Sequence, residues 1–169
     1  MPQPGTPDPG AHQDTPGPAV LVGVDGSAAS RAAIAAAARE AAYRSAPLIA
    51  IQAYSGEQLQ HTGRPPGAPG TDLVSSRPGA EDERRATESC LRDAVRDVLG
   101  AERAARVQVQ AVLGLAGRKI VETALQVNAQ LIVLATHGSR SMVMGTVNQY
   151  VLRRAPCPVL VVPEQPAGR

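Results

Sequence analysis

The residues best suited to chemistry lie at positions 131–163, which read LIVLATHGSRSMVMGTVNQYVLRRAPCPVLVVP. This segment predicts a buried strand, a Gly/Ser loop, a helix that opens on Gly145-Thr146 and a second buried strand. The first turn of a helix has backbone N–H groups without intrahelical partners, and the helix dipole adds partial positive charge there. Loops that lead from a parallel strand into such a helix start commonly hold phosphate. The segment therefore indicates a nucleotide site.

The composition limits the class of protein. A chain of 169 residues fits one domain with room for a tail. Apolar runs of about 18 residues, which a transmembrane helix needs, do not occur in the sequence. Residues 1–18 lack the charged and apolar regions of a signal peptide, so we expect a cytoplasmic protein. The net charge of +2 is scattered and the chain has no Phe or Trp, which argues against a nucleic-acid surface.

The two cysteines are predicted to be structural residues. Neither belongs to a CxxC pair, so we predict no metal site and no redox pair. Cys90 falls on the apolar side of a predicted helix and is expected in the core. Cys157 lies between two prolines and is expected to act as a small apolar residue that enters the last strand.

The order of the elements predicts the fold. Residues 1–18 and 164–169 are expected to be tails, the first of them disordered, around a domain at 19–163 with a mobile loop at 55–80. Strands are predicted at 19–24, 48–54, 106–112, 130–136 and 157–163. Helices are predicted at 30–44, 81–99, 118–127 and 145–155. This alternation predicts an α/β protein with a three-layer, doubly wound, five-stranded parallel sheet, Rossmann-like with strand order 3-2-1-4-5.

Ligands of such sheets bind beyond the carboxyl ends of the strands, where the strand order reverses. The candidate residues at these ends are Gly23, Val24 and Asp25 after the first strand, Ala53 after the second, Val112 after the third, and the 135–146 loop after the fourth. Asp25 fits a hydrogen bond to a nucleotide, and it equally fits an Asx turn before a helix capped by Ser27 or Ser30.

The loop after the fourth strand contains further polar candidates. Arg140 fits a bidentate grip on a phosphate, and the alternative is a solvated loop cation. His137 has no nucleophile or acid placed as a catalytic partner. We therefore predict no catalytic residues and no enzymatic activity.

Two segments resemble the universal stress proteins of the UspA type: VLVGVDGSAAS near the start, and LIVLATHG followed by MGTVNQYVLRRAPCPVLVV near the end. The resemblance covers about residues 19–163. The nucleotide-binding branch of that family carries the pattern G-x2-G-x9-G-[ST]. Here Ala135 stands at the first glycine, Gly138 at the second, and Gly145-Thr146 at the last pair. Six residues separate Gly138 from Gly145 where the pattern has nine.

The resemblance implies a ligand and its contacts. The ligand is ATP or another adenine nucleotide, which can bring Mg²⁺ with it. Asp25 is expected to face the adenine or ribose, and Ala53 to line the base pocket through its backbone. Contacts to phosphate and ribose are expected from Gly138, Gly145, Thr146 and Val147.

The resemblance also implies a homodimer. A bare edge strand invites aggregation, and family members pair their last strand with its copy across a two-fold axis. The residues concerned are Val159, Leu160, Val161 and Val162. The implied function is a dimeric, nucleotide-binding stress-response regulator. The alternative is the same fold without nucleotide, acting as a dimeric interaction module. A nucleotide hydrolase is disfavoured because no Mg²⁺ cluster beyond Asp25 and no positioned base are evident.

Overall fold

The computed structural model describes residues 18–54, 78–136 and 145–164. Five strands form one parallel sheet: β1 (Val20–Gly23), β2 (Leu48–Tyr54), β3 (Gln108–Leu113), β4 (Leu131–Thr136) and β5 (Val159–Pro163). The helices are α1 (Ala28–Tyr43), α2 (Pro78–Leu99), α3 (Ala101–Ala104), α4 (Ala116–Gln126) and α5 (Thr146–Arg154). The strand order is β3-β2-β1-β4-β5, which confirms the predicted fold.

The central strands β1, β2 and β4 are buried on both faces, and this explains their continuous apolar runs. In β1, Val20 and Val22 pack into one core cluster with α1 and α2. Leu21 points to the opposite face and packs into a second cluster with α4 and α5. The two clusters give the three predicted layers. The order reverses between β1 and β4, so the carboxyl ends of these strands flank the switch point.

The observed elements differ from the predicted ones at several boundaries. The prediction of Cys90 as a core residue is wrong, because its side chain is exposed. Leu91 and Val95 are the α2 residues that face the core, and Cys90 lies about 100° around the helix from Leu91. The short helix α3 was not predicted, and α4 begins at Ala116, two residues before the predicted start at 118.

Several predictions concern residues outside the described ranges. The expected tails fall almost entirely there, and so does most of the expected loop at 55–80. The last three residues of that loop, 78–80, form the start of α2. Among the described helices, none is long and apolar enough to cross a membrane.

Candidate functional site

A cavity of about 280 Å³ lies at the carboxyl ends of β1 and β4, where the strand order reverses. Its volume is close to the lower end of the range of about 300–1,000 Å³ for small-molecule sites. The starts of α1, α4 and α5 form its walls. The first turn of α1 is capped by Ser27, whereas α4 and α5 have no side-chain cap among the described residues, so their first-turn N–H groups favour an anion. Its lining residues are Gly23, Val24, Asp25, Ser30, Ala116, Ile120, Leu134, Ala135, Gly145, Thr146, Val147 and Asn148.

The structure brings most of the predicted site residues to this cavity. Those that line it are Gly23, Val24, Asp25, Ala135, Gly145, Thr146 and Val147. Ala53 and Val112 do not line it. They pair with each other across β2 and β3, further along the same edge of the sheet. Gly138 and Arg140 lie outside the described residues, as does His137.

Asp25 organises the turn between β1 and α1. The backbone N–H of Ser27 donates to Oδ1 of Asp25 at 3.0 Å, which is the Asx turn that the sequence allowed. The hydroxyl of buried Ser30 donates to the same carboxylate oxygen. Ser27 is the N-cap of α1, and its Oγ accepts from the N–H of Ser30 at 3.3 Å. Asp25 therefore shapes the turn and lines the cavity at once.

Gly23 makes room for the floor of the cavity. A Cβ at this position would lie 2.7 Å from Cδ2 of Leu134 and 2.9 Å from Cδ1 of Ile120. Both of these side chains line the cavity. Since real Cβ atoms do not approach so closely, any larger residue at 23 would force these two side chains to shift and would change the lining of the cavity.

The start of α5 presents open backbone to the cavity. Gly145 is the N-cap, with φ −56° and ψ 156°, and no atom of the described residues lies within 4 Å of where its Cβ would be. The first-turn N–H groups of α5, including those of Thr146 and Val147, have no intrahelical carbonyl to bond. This arrangement suits a phosphate oxygen.

Ala135 occupies an ordinary strand position. It lies within β4, where it pairs with Val162 of β5. An extended backbone accepts any L residue, so an alanine at this position costs little in conformational energy. The departure from glycine at the first position of the binding pattern therefore introduces no backbone strain.

Asn148 is a site residue that the sequence analysis missed. It is buried, lines the cavity, and donates from Nδ2 to the carbonyl of Ala135 at 3.0 Å. A polar residue on the inward face of α5, three positions before buried Val151, was the available signal. Ser30, Ala116, Ile120 and Leu134 were also missed.

The cavity has a simple electrostatic character. Asp25 is the one ionisable side chain among its described lining residues. On α4, Lys119 and Arg118 both hydrogen-bond Glu122, which lowers the pKa of that carboxyl. In the described part of the chain, no group of three or more His, Cys, Asp or Glu residues is placed to hold a metal ion.

The universal stress protein family model matches residues 18–163. The chain belongs to the universal stress protein family. Curated universal stress proteins from Mycobacterium tuberculosis and Mycobacterium bovis are each 31% identical to it over 146 residues, which is 85% of this chain. The chain spans about half the length of these relatives, 47% of each.

Solved universal stress proteins share the fold. One, crystallised in complex with cAMP, has a TM-score of 0.59 and 25% identity, over 88% of this chain and 98% of that one. Another, from Archaeoglobus fulgidus in complex with dAMP, has a TM-score of 0.57 and 20% identity, over 86% of this chain and 97% of that one. The second likeness concerns the fold alone.

Proposed function

We propose that this universal stress protein domain binds an adenine nucleotide and acts as a regulator in a stress response without catalysing a reaction. The observation that carries the proposal is the convergence of three helix starts on a cavity at the strand switch point. The related structure that contains cAMP supports the choice of an adenine nucleotide. ATP is the ligand we favour, with Mg²⁺ on its phosphates.

In this proposal the parts of the ligand occupy different parts of the cavity. Phosphate binds at the start of α5, where Gly145 leaves room for it and the first-turn N–H groups donate. The base and ribose lie along Asp25 and Ile120. The helix dipole contributes only about 0.3–1 kcal/mol to anion binding at an exposed site. Micromolar affinity corresponds to about −8 kcal/mol, so several N–H donors must act together.

Calorimetric titration with ATP, ADP, AMP and cAMP tests the proposal. The informative variants are Gly145→Asp and Gly145→Asn, which have nearly the same shape and are both good N-caps. We expect the aspartate to repel phosphate and weaken binding at least about tenfold relative to asparagine, because it adds a full negative charge beside the phosphate. Equal affinity in the two variants would mean that phosphate does not bind at α5.

The absence of any heat or thermal shift at millimolar nucleotide would contradict nucleotide binding itself. The alternative function would then apply, in which the same fold acts as a dimeric interaction module without nucleotide. The specific observation behind this alternative is the loop of six residues between Gly138 and Gly145. A shorter loop reaches fewer phosphate oxygens, so a triphosphate would be affected before a monophosphate.

We further propose that the protein forms a homodimer through β5. Within the described residues, β5 pairs only with β4, so it forms one edge of the sheet. Val159, Val161 and Val162 are partly buried in the single chain, and Leu160 is 36% exposed. Isologous pairing of two copies would cover this edge.

A further inference from the structure

A groove larger than the nucleotide cavity lies at the opposite ends of the strands, beyond the amino ends of β2 and β3. Its volume is about 780 Å³, within the range of about 300–1,000 Å³ for small-molecule sites. One wall is the second half of α1. The other is formed by the end of α2, by α3 and by the residues that lead into β3. We call it the basal groove.

The basal groove has an apolar floor and a basic rim. Buried Ala41 and Leu48 form part of the floor, and Val107 contributes from the position just before β3. Arg39 lies on the α1 wall, whereas Arg103 and Arg106 lie on the facing wall. No Asp or Glu is found among the described residues that line the groove.

The three arginines differ from other cations of the same helical layer. Arg31 pairs with Asp97 at 2.9 Å, Arg44 pairs with Glu40, and Arg92 pairs with Glu88 at 2.7 Å. None of the groove arginines forms an ion pair with a carboxylate of the described residues. Their guanidinium groups thus remain available to a ligand.

The surrounding helix ends partly offset the electrostatic repulsion among these cations. The carboxyl ends of α1 and α2 reach this edge of the sheet, and helix carboxyl ends carry partial negative charge. This effect accounts for cations near the edge. The dipole does not explain why the arginines lie on facing walls above an apolar floor. A cation that pointed into solvent would interact with each helix end just as favourably.

We propose that the basal groove binds a small organic anion that has a carboxylate or phosphate head and an aliphatic body. Guanidinium groups bind both heads through paired N–H donors, and the groove has them on both of its walls. The alanine, valine and leucine side chains of the floor receive the aliphatic body. This site is separate from the nucleotide cavity, and it does not depend on the proposed nucleotide.

Octanoate and octyl phosphate are suitable probes, with n-octanol as the neutral control of the same chain length. In ¹H–¹⁵N spectra of the full chain, we expect saturable shifts at Ala38, Ala42 and Ala46 with both anions, and clearly weaker binding of octanol. Replacing Arg39, Arg103 and Arg106 together by Gln should weaken binding by about tenfold or more, since each charged hydrogen bond contributes substantially.

Arg153→Gln is the matched control, because Arg153 is an exposed arginine of α5 outside the groove. Unchanged thermal unfolding of the triple variant would show that its loss of binding is local. The proposal is overturned if neither anion gives saturable shifts in the groove. Equal shifts with octanol, or equal anion affinity in the triple variant, would overturn it as well. Either result would mean that the arginines do not contribute to ligand binding.

Discussion

The side-chain amide of Asn148 donates a hydrogen bond of 3.0 Å to the backbone carbonyl of Ala135. Asn148 lies in the first turn of α5, and Ala135 lies next to the last residue of β4. The bond therefore joins the helix start directly to the strand end, across the loop that connects them in sequence. It fixes the position of the α5 N–H groups over the cavity.

Replacing Asn148 by Ala should lower both stability and nucleotide affinity. The variant leaves the carbonyl of Ala135 without this donor, at a cost of about 1–2 kcal/mol in the free energy of unfolding. Urea denaturation measures the loss, and calorimetry measures the affinity. Arg153→Ala, on the exposed side of the same helix, is the control and should change stability by less than about 0.5 kcal/mol. An Asn148→Ala variant as stable as that control would show that the bond does not hold α5.

Two glycine-to-alanine changes in the cavity should differ clearly in their effect on the free energy of unfolding. Gly23→Ala forces Leu134 and Ile120 to move, because its Cβ would lie 2.7 and 2.9 Å from their methyl carbons. We expect a loss of about 1–3 kcal/mol in the free energy of unfolding. Gly145→Ala meets no atom of the described residues within 4 Å and has an ordinary φ of −56°, so its cost should be limited to the poorer N-cap that alanine makes, about 0.5 kcal/mol. Thermal unfolding of both variants checks this contrast. Equal destabilisation would contradict the crowding at Gly23.

Sequence patterns were sufficient for the fold and for the edge of the sheet that carries the site. Continuous apolar runs mark strands buried on both faces, and Gly145-Thr146 marks a helix start. The position of the candidate cavity along that edge, between the ends of β1 and β4, was not predictable. Ala53 and Val112 end neighbouring strands, yet they lie one and two strands away from the cavity.

Side-chain packing across elements was also beyond the sequence. Asn148 and Ile120 reach the cavity because α5 and α4 lie at particular angles over the sheet, and residue spacing within one helix does not set such angles. Cys90 shows the related limit within a helix. An amphipathic pattern locates the centre of the apolar stripe at Leu91 and Val95, but the burial of residues at its margin depends on the neighbouring elements.

The two thiols should differ in reactivity towards iodoacetamide. Cys90 is exposed, whereas Cys157 is partly buried and burial raises the pKa of its thiol. Because the thiolate is the reacting form, Cys157 should be alkylated more slowly at about pH 8, below the usual thiol pKa. Mass spectrometry of Cys90→Ser and Cys157→Ser, each with one remaining thiol, gives the two rates. Faster alkylation of Cys157 would contradict its burial.

Leu160 provides the sharpest test of the proposed dimer. It is 36% exposed on the edge strand β5, and pairing with a second copy would bury it. Leu160→Asp would place an unpaired carboxylate in that interface, so we expect the dimer dissociation constant to rise at least about tenfold. Native mass spectrometry at several protein concentrations measures the populations of monomer and dimer.

Leu125→Asp is the matched control for this experiment. Leu125 is 63% exposed on α4, outside the edge strand, so the same substitution there should leave the dimer intact. A wild-type protein that is monomeric at all concentrations would contradict dimerisation. A Leu160→Asp variant that dimerises as well as Leu125→Asp would instead move the interface away from β5. In that case the edge of β5 would have to be covered in another way, since a bare strand edge invites aggregation.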